Sequence, residues 1–160
     1  MKKKIAIVTM LLLLGLSLIG NVYLYQKLAY EKYQSQELQK KLDDQFLAEL
    51  YQLSIVNDYQ NATPEEQKIY LLQMYTTCDR VCEMLGQTSY QDNELSSCLT
   101  ELSRYYHDLS DSDEKFSEAI RNNTFDLIGA AIGEMHLGLS GDDESRWKEA
   151  MHAPLTVIIE

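Results

Sequence analysis

Three cysteines lie within one short stretch, CDRVCEMLGQTSYQDNELSSC, which runs from Cys78 to Cys98 and holds every cysteine of the 160-residue chain. Thiols can pair as disulfides, bind soft metal ions or act as nucleophiles. Cys78 and Cys82 have the four-residue spacing of one helical turn, not the CxxC spacing that lowers a thiol pKa at a helix start. No fourth ligand lies nearby in the sequence to complete a zinc site.

Two interpretations of the cysteines stay open. In an antiparallel hairpin that turns between Leu85 and Asp92, Cys78 and Cys98 come within about 2 Å in height, whereas Cys82 and Cys98 differ by about 4 to 5 Å. A disulfide would therefore join Cys78 to Cys98 and leave Cys82 free. Alternatively, all three are small buried hydrophobic residues, which is where free cysteine usually lies.

The sequence E149-A-M-H152 matches the Glu-x-x-His pattern of di-iron helical bundles, with both side chains on one face of a helix. Those sites need two such motifs and two further glutamates, and this chain has one copy. An accidental match is the simpler explanation. A redox or metal-binding protein that uses the three cysteines or Glu149 and His152 is retained as the alternative function.

Motifs for other chemistry are missing from the sequence. There is no Gly-rich phosphate loop after a strand, no G-x-S-x-G and no H-E-x-x-H. We therefore predict no catalytic residue, no cofactor and no metal ligand, and expect that the protein is not an enzyme.

Acidic residues dominate the chain after residue 41, where 23 Asp and Glu face 7 Lys and Arg. Such a domain repels phosphate backbones, so nucleic acid is excluded as a partner. In an up-down bundle, two loops would bring part of this acidity to the end far from the membrane, where a cation or a basic partner could bind. The acids of this predicted acidic pole are Asp58, Glu65, Glu66, Asp108, Asp111, Asp113 and Glu114.

The amino-terminal segment, residues 1–25, reads as a membrane anchor. Three lysines precede an apolar run from Ile5 to Tyr25 without a charged side chain, and about 20 residues are needed to cross a bilayer. The positive-inside rule keeps Lys2, Lys3 and Lys4 in the cytoplasm and places the carboxyl-terminal domain outside. A cleaved signal peptide, which would leave a secreted protein, has a similar opening and is the alternative.

The residues beyond the anchor predict an all-α fold of about four antiparallel helices. Residues 26–36 form a solvated helical stalk, residues 37–139 an acidic bundle with coiled-coil-like periodicity, and T63-P-E-E66 starts the second helix, which Gly86 ends. Apolar residues at three- and four-residue steps define the faces expected to be buried. They are Leu38, Leu42, Phe46, Leu50, Leu53 and Val56; Leu71, Tyr75, Cys78, Cys82 and Leu85; Leu95, Cys98, Leu102, Tyr105 and Leu109; Phe116, Ile120, Leu127, Ala131 and Met135.

Residues 140–160 are predicted to form a short helix, about Asp142 to His152, followed by an extended apolar tail because Pro154 should stop the helix. The tail residues Leu155, Val157, Ile158 and Ile159 would either fold back on the bundle or bind another chain. Taken together, the sequence predicts a single-pass membrane protein that acts through protein interaction, as a structural, accessory or sensing subunit. Its partner is an unknown protein, and homo-oligomers are compatible with this architecture.

Overall fold

The computed structural model describes the backbone of residues 2–55, 62–141 and 143–159, and the side chains of these residues except 2–9, 11, 12 and 153–159. These residues form six helices and no strand, so the predicted all-α class is confirmed. The helices are α1 (Lys2–Ser54), α2 (Pro64–Leu85), α3 (Asn93–Ser110), α4 (Asp113–Arg121), α5 (Thr124–Ser140) and α6 (Glu144–Ile159).

The chain divides into two units, Met1–Lys40 and Lys41–Glu160. In the first unit, helix α1 exposes apolar side chains on all sides, and each of Leu13, Leu18 and Leu24 is more than half exposed. Farther along the helix, polar side chains one turn apart form hydrogen bonds with each other. Gln34 donates to the Tyr30 hydroxyl, and the Tyr33 hydroxyl donates to Glu37. The first unit is therefore a helix with an apolar part followed by a polar part.

Within the described residues, no helix contains a stretch long and apolar enough to cross a bilayer. The apolar run that predicts the anchor extends from Ile5 to Tyr25, and the side chains of residues 5–9, 11 and 12 lie outside the described part. The anchor thus remains a prediction from the sequence.

The last part of α1 belongs to the second unit and is buried there. Phe46, Leu50 and Leu53 are fully buried, as their spacing predicts. Leu42 is half-buried, and Val56 lies outside the described residues. Leu38 is 60% exposed, so its predicted burial is wrong. Helical periodicity shows which side of a helix is apolar but not how far along the helix a neighbour reaches.

Helix α2 begins and ends where local signals predict. The Thr63 hydroxyl accepts from the backbone amide of Glu66, and the Glu66 carboxylate accepts from the amide of Thr63 at 2.7 Å. Pro64 at the first helical position needs no hydrogen-bond partner for its nitrogen. The helix ends at Leu85, with Gly86 as its carboxyl-terminal cap.

Within the described residues, five longer helical segments and the short α4 form the core of the second unit, rather than about four helices. Helix α3 packs against α2 and α6, and α5 packs against α6. The end of α1 lies between α2 and α5: Glu49 pairs with Arg80 at 3.2 Å, and the Tyr51 and His136 rings are 5.4 Å apart. The short α4 connects α3 to α5. The fifth packed helix is α6, which the sequence-based interpretation divided into a shorter helix and a tail.

The predicted fourth helix is two helices, α4 and α5, separated at Asn122 and Asn123. Asn123 has a φ of 52° and a ψ of 32°, the left-handed conformation that asparagine tolerates better than most residues. The break rotates the following helix, so Phe125, Ile128 and Ile132 face the core. Leu127, predicted to be buried, is 54% exposed.

Helix α6 continues past Pro154 to Ile159, so the predicted extended tail is wrong. The fixed φ of a proline, about −65°, is itself close to helical. Proline removes the hydrogen bond to the carbonyl of residue 150, and the helix resumes beyond that gap. A proline signal alone therefore misplaces the end of this helix.

Helices α5 and α6 approach each other closely at Gly138. A methyl group on Gly138 would lie 2.7 Å from the Trp147 nitrogen and 2.8 Å from its Cβ. At Gly133 the same methyl group would make an ordinary 3.9 Å contact with Ser54. Glycine is required for packing at position 138, and not at position 133.

Candidate functional site

The three cysteines lie on facing helices of the core. Helix α2 presents Cys78 and Cys82 one turn apart, and α3 presents Cys98. Cys78 and Cys98 are buried, Cys82 is half-buried, and all three are free thiols. Cys98 Sγ donates to the carbonyl oxygen of Met151 at 3.7 Å, which ties α3 to α6. The sequence could not predict that contact, because it joins residues 53 positions apart.

Burial controls the chemistry of these thiols. It raises the pKa of Cys98 to about 12 and the pKa of Cys78 well above its ordinary value. Burial also raises the pKa of Cys82, partly offset by a hydrogen bond with Thr100. Since the thiolate is the nucleophile and the metal ligand, the thiols are in their unreactive form at neutral pH. They serve as packing groups, and pairing of Cys78 with Cys98 under oxidising conditions stays a prediction.

Cys82 is the thiol nearest to solvent. It lines an open surface pocket of about 500 Å³ where α2 ends and α3 begins. Asp92 also lines this pocket, and its carboxylate accepts from the backbone amides of Glu94 and Leu95. The carboxylate is thereby used as the cap of α3. The described residues that line this pocket include no histidine that could activate Cys82 and no second cysteine that could pair with it.

Glu149 and His152, the pair on α6 that matches the di-iron pattern, are both exposed. Across the described residues, no group of three or more His, Cys, Asp and Glu side chains is placed to hold a metal ion. The other two histidines pack against tyrosines, His107 against Tyr75 and His136 against Tyr51, with ring centroids 5.5 and 5.4 Å apart. His107 and His136 therefore make packing contacts with aromatic rings.

A polar cluster between α2 and α3 was not predicted. The Ser103 hydroxyl donates to Asp79 at 2.7 Å, and a hydrogen bond to the same carboxylate raises the pKa of Tyr75. Serine donates directly to the carboxylate with no imidazole between them, so the cluster differs from a Ser-His-Asp triad. The cluster fastens the two helices together. Tyr75 and Asp79 are one turn apart on α2, but no local sequence motif could reveal the contact with Ser103, because Ser103 lies on α3.

The residues of the predicted acidic pole are exposed wherever the structure describes them, and Asp58 lies outside the described residues. The start of α2 and the corner between α3 and α4 line one pocket of about 280 Å³, which includes Asp113 but also Lys68. Several of the acids have local roles: Glu66 completes the cap of α2, and Asp111 lies 3.8 Å from His107. Acids in the first turn also oppose the helix dipole favourably.

The predicted partner-binding side chains at the carboxyl terminus, Leu155, Val157, Ile158 and Ile159, lie outside the described side chains, although their backbone is helical. The choice between docking and partner binding is therefore still open.

Comparison of the chain with protein-family models, with curated proteins and with solved structures found no match.

Proposed function

We propose that this chain is a single-pass membrane protein whose acidic helical bundle lies outside the cytoplasm and works by binding another protein. In this role it is a structural, accessory or sensing subunit. The proposal assigns it no catalytic activity.

The observation that carries the proposal is the exposure of apolar side chains around the whole circumference of α1 in the first unit, Met1–Lys40. Met10, Leu16, Leu18 and Ile19 are each at least 65% exposed, and they point in different directions around the helix. A helix that is apolar on all sides is stable when other protein or lipid covers it. Lipid fits the sequence, because the same run continues to Ile5 without a charge and follows three lysines.

The bundle supports a binding role over a chemical one. Its thiols are protonated, its serine and aspartate cluster has no imidazole between the two side chains, and its surface is strongly acidic. A surface of one charge favours partners of the opposite charge, which it attracts over a distance of about 10 Å at moderate ionic strength. We therefore expect a basic surface on the partner.

The redox or metal-binding alternative has less support. It requires thiolates or a set of converging ligands, and the described residues offer thiols with raised pKa values and an exposed Glu149 and His152 on another helix. Metal analysis and thiol titration of the purified protein separate the two functions. A bound metal at one equivalent, or a rapidly reacting pair of thiols at neutral pH, would favour the alternative.

Membrane extraction tests the proposed function directly. The full-length chain should stay in the membrane fraction through a carbonate wash, and a variant that lacks residues 1–25 should be released. Protease added outside should cleave the carboxyl-terminal domain of the full-length protein. Recovery of a soluble form that begins near Leu18 or Asn21 would contradict the anchor and identify a secreted protein instead. If the anchor holds, pull-down with the intact protein should recover the partner in a salt-dependent manner.

A further inference from the structure

Asn21 interrupts the apolar surface of α1. It is the one amide side chain between Ile5 and Tyr25, and it is exposed. Its amide group has two N–H donors and a carbonyl acceptor, and hydrocarbon offers no water to pair with them. At 1.5 Å per residue, Asn21 lies about 6 Å inside the outer end of the apolar run. In a membrane, this side chain needs a partner.

The residues around Asn21 form a continuous face of the helix. Leu14, Asn21 and Leu28 are seven residues apart, with Ser17 and Leu24 between them, which is the spacing at which two helices mesh side chains along a seam. Leu14, Leu24 and Leu28 are each more than half exposed. Ser17 is small, so it allows two helix backbones to approach each other closely.

A second copy of the chain matches this face better than an unrelated helix does. Two copies that insert with the same orientation are parallel, so their Asn21 side chains lie at the same depth. An amide is self-complementary, because each copy can donate to the carbonyl of the other. Just beyond the face, Lys27 lies 3.8 Å from Glu31 of its own helix, which reduces the repulsion between two lysines brought together.

We propose that the chain forms a parallel homodimer through the Asn21 face, defined as Leu14, Ser17, Asn21, Leu24 and Leu28, with the two Asn21 amides hydrogen-bonded to each other. This inference rests on the proposed membrane anchor. It adds the partner of the anchor, whereas the partner of the acidic bundle is a separate question.

Energy transfer between donor- and acceptor-labelled copies of the full-length protein in phosphatidylcholine vesicles tests the dimer. Transfer should fall as lipid is added, and half-dissociation of Asn21→Leu should need about tenfold less lipid dilution than that of the unmodified chain. Asn21→Gln keeps the amide and should retain most of the transfer. Ile19→Leu is the matched control, because residue 19 lies about 200° around the helix from residue 21.

Two cysteine variants, each with one substitution, test whether the Asn21 face is the contact face of the dimer. Leu24→Cys lies on the Asn21 face, and Tyr23→Cys lies on the opposite side of the helix. Mild oxidation should cross-link two copies of the Leu24→Cys variant much faster than two copies of the Tyr23→Cys variant, and the unmodified chain shows how much the native thiols contribute. Equal cross-linking of the two variants would overturn the proposed face.

The outcomes separate this inference from the function on which it rests. If the unmodified protein leaves the membrane in a carbonate wash, the anchor itself is wrong. If the protein stays in the membrane but shows no energy transfer above that expected for random mixing, the anchor holds and the dimer is wrong. If Asn21→Leu associates as strongly as the unmodified chain, any dimer forms elsewhere and the Asn21 face is refuted.

Discussion

Leucine has opposite surroundings in the two units of this chain. In α1, Leu18 is 71% exposed, whereas Leu95 and Leu99 of α3 are fully buried. The leucines in the first half of α1, up to Leu24, occur in an almost unbroken apolar run, and the α3 leucines alternate with polar residues at helical spacing. The pattern around a leucine, more than the leucine itself, therefore indicates whether the packed helices of the bundle cover it.

Truncation of a core side chain should give the sharpest contrast. The Phe125 ring lies within 5.7 Å of the Tyr70 and Phe116 rings and stacks on Tyr106 at 6.2 Å. Phe125→Ala should lower the free energy of unfolding of the bundle by about 3 to 5 kcal/mol, because it removes a buried ring and leaves a cavity. Leu18→Ala should leave it unchanged. Denaturant titration of both variants measures the difference, and equal effects would refute the division into a packed and an unpacked region.

Glycine provides the second contrast. Gly138→Ala should destabilise the bundle by about 1 to 3 kcal/mol, since the new methyl group would overlap the Trp147 backbone. Gly133→Ala should be neutral or stabilise the bundle by up to about 1 kcal/mol, because its methyl group has room and alanine favours a helix. Thermal unfolding should rank Gly133→Ala above the unmodified chain and Gly138→Ala below it. The reverse order would show that α5 and α6 pack differently.

The cap of α2 should have a smaller effect. Thr63→Ala should cost about 1 kcal/mol, because the amide of Glu66 loses its acceptor. Hydrogen bonds with Thr63 lower the pKa of Glu66, so this contribution is present above the ordinary pKa of a glutamate and is lost as the pH falls through the lowered pKa. Stability measured from pH 7 down to pH 3 should therefore fall less in Thr63→Ala than in the unmodified chain. Parallel curves would show that the cap does not form.

The buried thiols predict a modest alkaline effect. The pKa of Cys98 is raised by burial from 9.0 to about 12, so its contribution to stability is full below pH 9 and is lost as the pH rises toward 12. The stability lost by pH 10, relative to neutral pH, is about 1 kcal/mol. Cys98→Ala should reduce the loss of stability between pH 8 and pH 10. Iodoacetamide should label Cys82 faster than Cys78 or Cys98, and the opposite order would place the thiols differently.

Local signals in the sequence were enough to predict α2 from Thr63 to Gly86, because Thr63 directly precedes the first residue of the helix and Gly86 directly follows its last residue. They failed where distant packing decides. Asn123 adopts a left-handed conformation that no neighbouring residue requires, and α6 passes through Pro154. For the candidate site, burial of Cys78 and Cys98 followed from their spacing. The contacts of Asp79 with Ser103 and of Gly138 with Trp147 did not, because each joins residues from separate helices.

Helix α6 is the last of the six in chain order, and it closes the core by packing against both α3 and α5. During synthesis, the hydrogen bond from Cys98 to the carbonyl oxygen of Met151 can form only after 53 further residues have been added. Until then, the part of the α3 face that packs against α6 is open to solvent and to other nascent chains. The bundle is therefore completed only after α6 has been synthesised. A chaperone that shields the α3 face during that interval should increase the yield of folded protein more than one that acts on the finished domain.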